Sequence, residues 1–167
     1  MTDPLGPVPA SLVAGDRRRP WVVVGVDPSP SAHLALQWAW RYVQALQGTL
    51  LACTAVPGTA PSFDERPERL AALEQKAKEE LAQATARTRQ VLQDALGEAE
   101  AAQVVLVVRL GGVADVLVGA AKDADLLVVG TTPRGRLGRA LLGTIRPGLL
   151  GATRCPVVLV PALDQAT

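Results

Sequence analysis

The chain contains few of the residues that form disulfide bonds or histidine-based metal and catalytic sites. Its 167 residues include two cysteines, one histidine and 3% aromatic residues. Because His33 is the only histidine, sites with several histidine ligands are excluded. The cysteines, Cys53 and Cys155, lie far apart inside apolar segments, which is typical of buried thiols in a reducing compartment. We therefore expect a cytoplasmic protein without a disulfide framework.

The chain also lacks an excess of positive or negative charge, and it lacks long apolar runs. The 17 basic and 16 acidic side chains leave a net charge of +1, which provides no overall basic field for nucleic acid or an anionic membrane. No apolar run approaches the roughly 20 residues of a membrane-spanning helix. Arg17 to Arg19 follow the weakly apolar N-terminal stretch, whereas a secretory signal has its positive charge first. We expect a protein that is not exported and binds neither membranes nor nucleic acid.

What the chain does contain is an apolar fraction of 49%, made almost entirely of alanine, valine and leucine. A chain of this length buries enough surface to form a core without disulfide bonds or bound metal ions. Residues 1–20 carry prolines at positions 4, 7, 9 and 20 and show no periodic pattern, which predicts a disordered N-terminal tail. We assign the folded domain to residues 21–163.

Buried strands and amphipathic helices alternate through this domain. Continuous apolar runs predict strands over residues 21–26, 49–56, 103–109, 126–129 and 157–160, and helices begin at Pro30 and near residues 70, 113 and 144. In the first helix, Trp38 shares the spacing of the core positions and Trp40 lies at their margin. The alternation predicts an α/β fold with a parallel sheet and helices on both faces. Ligands of such sheets bind beyond the carboxyl ends of the strands, where the strand order reverses.

A segment rich in glycine and arginine follows the fourth strand. Gly130 stands at the strand end, and Gly143 precedes Thr144, which is placed as the N-cap of the next helix. Glycine permits close approach of the backbone to a ligand, and a helix N-terminus attracts phosphate. Arginines surround this position at residues 134, 136, 139 and 146. The pattern indicates either a phosphate-binding loop or a flexible loop with a solvated arginine face.

Four sequence motifs together resemble the universal stress protein family, and the resemblance extends from Trp21 to Pro161. The motifs are Val-Gly-Val-Asp-Pro-Ser-Pro-Ser (24–31), Lys-Asp-Ala-Asp-Leu-Leu-Val-Val-Gly (122–130), Leu-Leu-Gly-Thr (141–144) and Arg-Cys-Pro-Val-Val-Leu-Val (154–160). The resemblance implies an adenine nucleotide alpha hydrolase-like sheet of five parallel strands in the order 3-2-1-4-5. It also implies a homodimer through the last strand, Pro156 to Pro161. That strand is predicted at a sheet edge and carries no charge, and such an edge invites pairing.

One subgroup of this family binds ATP. The resemblance therefore implies that the chain binds ATP or a related adenine nucleotide, with Mg²⁺ as an accompanying ion if the nucleotide requires it. The ATP pattern is Gly, two residues, Gly, nine residues, Gly-Ser/Thr, and here Gly130 and Gly143-Thr144 keep its spacing. Carried over by position, Asp27 contacts the base or ribose and Ala55 lines the adenine pocket. Val129 and Gly130 flank the sugar and phosphates, and residues 143–146 hold phosphate oxygens. The alternative for Asp27 is a strand-end carboxylate that helps to fix the next loop. The site residues implied are Gly25, Val26, Asp27, Ala55, Val129, Gly130, Gly143, Thr144, Ile145 and Arg146.

Three prolines depart from the family pattern. Pro133 replaces the middle glycine of the ATP pattern, Pro28 replaces the glycine of an Asp-Gly-Ser opening, and Pro147 removes an amide near Thr144. A lost hydrogen bond to a charged group weakens binding by about tenfold to a hundredfold. We predict a stress-response regulatory protein that binds an adenine nucleotide, with no catalytic residues. A protein-interaction module without nucleotide binding is the alternative, and slow ATP hydrolysis stays open, although no lysine precedes Thr144 as a P-loop requires.

Overall fold

A computed structural model describes residues 19–58, 67–131 and 151–162. Its strands are β1 (Trp21–Gly25), β2 (Thr49–Val56), β3 (Val105–Leu110), β4 (Leu126–Thr131) and β5 (Val157–Pro161). Its helices are α1 (Pro30–Leu46), α2 (Pro67–Leu96), α3 (Glu98–Ala101) and α4 (Val113–Ala120). The strands form one sheet in the order β3-β2-β1-β4-β5, and every neighbouring pair is parallel. The predicted fold class and strand order are confirmed.

The central strand β1 is buried on both faces. Val22, Val23 and Val24 are all fully shielded from solvent. Successive side chains of a strand point to opposite faces, so Val22 and Val24 enter one core and Val23 enters the other. β-Branched residues fit such a strand because their restricted rotamers pack well on a pleated surface.

Helices cover both faces of the sheet. One core lies beneath α1 and α2, and the other lies beneath α4. α1 contributes mainly small side chains to its core, including Ala32, Ala35 and Ala39, each without exposed surface. Small residues let a helix axis approach the sheet closely, and this close approach is needed where β4 meets α1.

Both ends of α1 show how the sequence sets the helix boundaries. At the start, Ser29 adopts an extended conformation, its Oγ accepts a hydrogen bond from Ala32 N at 3.2 Å, and Pro30 occupies the first turn. At the end, Gln47 adopts the left-handed conformation with φ of 53°. Gly48 N then donates to the carbonyl oxygen of Val43 at 2.8 Å. The helix therefore ends where Gly48 predicts, but Gln47 makes the left-handed turn.

The expected place of Trp38 among the core residues of α1 was wrong, whereas Trp40 lies at the margin of the core as expected. Trp38 is 36% exposed and stacks on Tyr42, with 5.3 Å between ring centroids and an interplanar angle of 14°. Trp40 is partly buried and packs against the core beneath α1 and α2. The stripe that faces the sheet includes Leu36 and Val43, and it is rotated around the helix from the stripe expected from sequence. Two overlapping apolar stripes satisfy helical spacing here, and both include Ala35 and Ala39. The stripe that packs on the sheet adds Leu36 and Val43, whereas Trp38 and Tyr42 stay exposed.

Other predicted boundaries agree to within a few residues. β3 runs from Val105 to Leu110, α4 ends at Ala120, and the short helix α3 was not predicted. Pro20, assigned to the tail, accepts a hydrogen bond at its carbonyl oxygen from Thr49 N at 2.9 Å. The rest of the predicted tail, residues 1–18, and the loop and helix predicted across residues 132–150 lie outside the described residues.

Candidate functional site at the carboxyl edge of the sheet

The candidate site lies where the strand order reverses, beyond the carboxyl ends of β1 and β4. From β1 the chain continues to β2 on one side, while β4 and β5 occupy the other side. Val24 is level with Val128 of β4, and Gly25 is level with Cys53 of β2. Two residues farther along, the register brings Asp27, Ala55 and Gly130 to the same edge. The fold therefore gathers these predicted site residues at one place.

Asp27 organises the turn between β1 and α1. Its Oδ1 atom accepts a hydrogen bond from Ser29 N at 3.0 Å, and the residue is only partly exposed. This arrangement is an Asx turn, in which the aspartate side chain accepts a hydrogen bond from the backbone N–H two residues later. Asp27 therefore has a structural role, because it fixes the turn that leads from β1 into α1.

Gly130 makes the closest backbone approach of the site. A Cβ atom added there would lie 2.5 Å from the Ser31 carbonyl oxygen and 2.7 Å from Ala32 N. Real Cβ atoms do not approach other atoms so closely. β4 therefore ends directly against the first turn of α1, and only glycine permits this. The contact holds the positive end of the α1 dipole beside the carboxyl end of β4.

Three other predicted site residues are explained by packing. A Cβ atom at Gly25 would lie 3.3 Å from side-chain atoms of Leu117 and of Val129, so this glycine gives α4 room on the sheet. Val26 is 3% exposed and Val129 is fully buried. Val26 N donates to Cys53 O at 2.9 Å, and its carbonyl oxygen accepts from Thr54 Oγ1 at 2.9 Å. These residues support the site through core packing and backbone hydrogen bonds, and the side chains of Val26 and Val129 are buried.

Two threonines support this edge, and the sequence reading missed them. Thr54 Oγ1, which donates to Val26, lies 3.1 Å from Thr88 Oγ1 of α2. Thr88 is 4% exposed, and its hydroxyl also lies 2.8 Å from the Ala84 carbonyl oxygen. The hydroxyls tie α2 to the end of β1 through β2. The same helix also contains Thr85, and only the packing of the helix shows that Thr88 is the threonine that reaches Thr54.

Arg109 is the second feature that the sequence reading missed. It is the register partner of Ala55, so it stands at the carboxyl end of β3 beside the predicted adenine pocket. Burial raises the pKa of the Cys53 thiol to about 12, and the positive charge of Arg109 acts in the opposite direction. Arg109 therefore brings a positive charge to the carboxyl half of β2. The available signal was a basic residue that ends an otherwise apolar strand.

Four predicted ligand residues, Gly143, Thr144, Ile145 and Arg146, lie outside the described residues. The same is true of Pro133 and Pro147, whereas Pro28 is described and exposed. Across residues 19–58, 67–131 and 151–162, no group of three or more histidine, cysteine or acidic residues is placed to hold a metal ion. No helix within these ranges has the length and hydrophobicity needed to cross a membrane.

Comparison with models of protein families shows to which family the chain belongs. Residues 21–161 match the model of the universal stress protein family, which is most of the chain. The chain belongs to the universal stress protein family. A universal stress protein of Mycolicibacterium smegmatis is 32% identical over 145 residues, covering 87% of this chain and 49% of the relative. A universal stress protein of Mycobacterium tuberculosis is 30% identical over 155 residues, covering 86% and 48%. This universal stress protein thus spans about half the length of these relatives.

Solved structures show the same fold. The universal stress protein UspA from Lactobacillus plantarum superposes with a TM-score of 0.64 at 24% identity, covering 87% of this chain and 99% of that one. A universal stress protein crystallised in complex with cAMP superposes with a TM-score of 0.51, also at 24% identity, covering 84% of this chain and 95% of the other. Both likenesses concern the fold of the single domain.

Proposed function

We propose that this universal stress protein is a stress-response regulator that binds an adenine nucleotide between the carboxyl ends of β1 and β4 and works as a homodimer. The observation that carries the nucleotide proposal is the meeting of three features at the point where strand order reverses. These are the Asp27 carboxylate, the glycine-enforced contact of Gly130 with α1, and the N-terminal end of α1. Their chemistry matches the hydroxyl, amino and phosphate groups of a nucleotide.

Asp27, Ala55 and Gly130 each have a role in this proposal. Asp27 accepts hydrogen bonds from ribose hydroxyls or the base amino group, and Ala55 lies beside the base. The Gly130 backbone passes close to the sugar and phosphates. Residues 143–146 would hold the phosphate oxygens, and Mg²⁺ would accompany the phosphates if the ligand is ATP. The structural neighbour crystallised with cAMP supports the choice of adenine nucleotides as probes.

A pair of matched substitutions tests the role of Asp27. Asp27→Asn keeps an oxygen that can accept from Ser29 N but removes the charge. Asp125→Asn makes the same change at the opposite edge, where Asp125 Oδ2 accepts from Trp21 N at 2.7 Å. Hydrogen bonds to charged groups are stronger than neutral ones by about 1 kcal/mol or more, so we expect Asp27→Asn to weaken nucleotide binding about fivefold to tenfold. Asp125→Asn should bind as the wild type does.

Calorimetric titration with ATP, ADP, AMP and cAMP provides the measurement, preceded by mass spectrometry of small molecules released from denatured protein. Equal affinities in the two variants would remove Asp27 from the site. No retained nucleotide and no binding heat at millimolar ligand would refute the nucleotide proposal and favour the alternative, a protein-interaction module. Hydrolysis of Mg-ATP that disappears in a Thr144→Ala variant would show that the protein is an enzyme.

The homodimer is proposed on the position of β5. This strand pairs only with β4 among the described strands, so its other side is a sheet edge. Its five residues, Val157–Pro161, carry no charge, and Leu159 is 52% exposed. Edge strands of soluble proteins commonly carry charges that prevent pairing, and β5 has none. Antiparallel pairing of two β5 strands would complete the ladder.

A further inference from the structure

Large apolar side chains are exposed on α1 and on the neighbouring strand β5. Among the described residues, these are Trp38 at 36%, Tyr42 at 37% and Leu46 at 46% on α1, and Leu159 at 52% on β5. Trp38, Tyr42 and Leu46 follow one another at intervals of four residues, and we call them the aromatic flank of α1. Residues at this spacing form one stripe along a helix. Trp38 and Tyr42 are also stacked, so they present one continuous surface.

The aromatic flank points toward the β5 edge of the sheet. Gln37 Nε2 donates to the carbonyl oxygen of Ala95 at 3.0 Å, which fixes the side of α1 that faces α2. Each residue turns the helix by about 100°, so Trp38 and Tyr42 lie on the side away from α2. α2 contacts β2 and β3, whereas α1 contacts β4 and β5. Val158 and Val160 of β5 pack against the same core as α1.

The charge distribution favours a second copy of this chain as the occupant. α1 has 17 residues, and Arg41 is its only side chain with a full charge at neutral pH. β5 has no charged residue. In an interface about a two-fold axis, the same surface patch of both copies comes into contact. Charges of one sign in that patch would therefore repel each other. A nearly uncharged apolar patch is suited to contact with itself.

We propose that the aromatic flank of α1 packs against the same flank of a second copy and forms the helical layer of the dimer interface. This inference rests on the proposed pairing of β5. A two-fold axis perpendicular to the sheet makes two β5 strands antiparallel neighbours and keeps both α1 helices on one face. The flanks then face each other above the paired strands. Aromatic residues are enriched at the centres of such interfaces, where they supply much of the binding energy.

The test is sedimentation of the full chain over a wide dilution series, with two lysine variants of α1. Tyr42→Lys places a charge in the flank, and Gln44→Lys places the same charge on an exposed position that faces away from it. We expect Tyr42→Lys to weaken the dimer at least about tenfold and Gln44→Lys to leave it unchanged. Leu159→Lys is the third variant, because a lysine on an edge strand opposes β pairing.

The results separate this inference from the proposed β5 pairing. A dimer weakened by Leu159→Lys but equally strong in both α1 variants would overturn the role of the flank and leave β5 pairing intact. A wild-type chain that stays monomeric would overturn both, while nucleotide titration would still test the binding site. If Tyr42→Lys destabilises the fold, acrylamide quenching of wild-type fluorescence, corrected with Trp38→Phe, gives a second measurement. Trp38 should be protected only at dimer-forming concentrations, and equal protection in the monomer would overturn the proposal.

Discussion

Gly130→Ala is the sharpest test of how the site is built. The new methyl group would lie 2.5 Å from the Ser31 carbonyl oxygen and 2.7 Å from Ala32 N, whereas ordinary contacts begin at 3.4 Å. These are backbone atoms of the first helical turn, so no side chain can rotate to relieve the overlap. Either the end of β4 or the start of α1 must move by about 1 Å.

The cost of that movement can be worked from the packing. Ala32, Ala35 and Leu36 of α1 have no exposed surface, so a displaced helix loses contacts along its buried side. Overpacking of a filled core costs about 1–3 kcal/mol, and the lower entropy of unfolded alanine returns up to about 1 kcal/mol. We expect a net loss of about 2 kcal/mol in the free energy of unfolding. For a chain of this size that lowers Tm by roughly 4–8 °C.

Urea and thermal unfolding followed by circular dichroism measure this loss. Gly151→Ala is the matched control, because Gly151 is helical and a Cβ atom there meets nothing within 4 Å. Alanine should stabilise the helical backbone conformation of residue 151 by about 0.5–1 kcal/mol. If Gly130→Ala unfolds at the same midpoint as the wild type, β4 and α1 are not in the contact described. A nucleotide titration of the same variant should show weaker binding, since the contact joins two walls of the site.

Two further predictions concern packing and the thiols. Gly25→Ala should cost less than Gly130→Ala in the same unfolding assay, because its Cβ meets flexible side-chain atoms of Leu117 and Val129 at 3.3 Å, and an equal or larger loss would contradict this. Cys155 should react with a thiol reagent before Cys53, which is 1% exposed and whose pKa burial raises to about 12. This pKa is raised from 9.0, so above pH 9 the thiol loses its proton in the unfolded chain but keeps it in the folded chain. The free energy of unfolding is therefore highest below pH 9 and falls as the pH rises toward 12. The free energy of unfolding should therefore fall between pH 9 and pH 10.5 by about 1 kcal/mol or more in the wild type relative to Cys53→Ala, and parallel pH profiles would refute it.

Strand positions and their parallel order were predictable because buried valine and leucine runs alternate with helical periodicity. The meeting of Asp27, Ala55 and Gly130 at one edge was predictable as well, because parallel strands place their carboxyl ends together. The Asx turn at Asp27 and the N-cap at Ser29 depend on neighbouring residues, and such local effects are visible in a sequence.

Features that depend on distances between elements were not predictable. Helical spacing fits two stripes of α1, and only the packing of the helix on the sheet selects the stripe with Leu36 and Val43 and leaves Trp38 exposed. Gly25 and Gly130 look alike as strand-end glycines, but one makes room for side chains and the other for a backbone. Arg109 and Thr88 reach the site through register and helix packing, which no local pattern records.

The length of α2 divides this helix into two parts with different sources of stability. Its 30 residues span about 45 Å, and Thr88 lies beside Thr54, near the carboxyl end of β2. Roughly the first 25 Å therefore extend past the sheet, and no described side chain of α2 before Thr88 is fully buried. The last turns are held by the core, whereas the first turns rely on helix propensity and on pairs such as Lys76 with Glu80 at 3.8 Å. Unfolding of this helix should therefore begin at its N-terminal end, on the same side of the sheet as the candidate site.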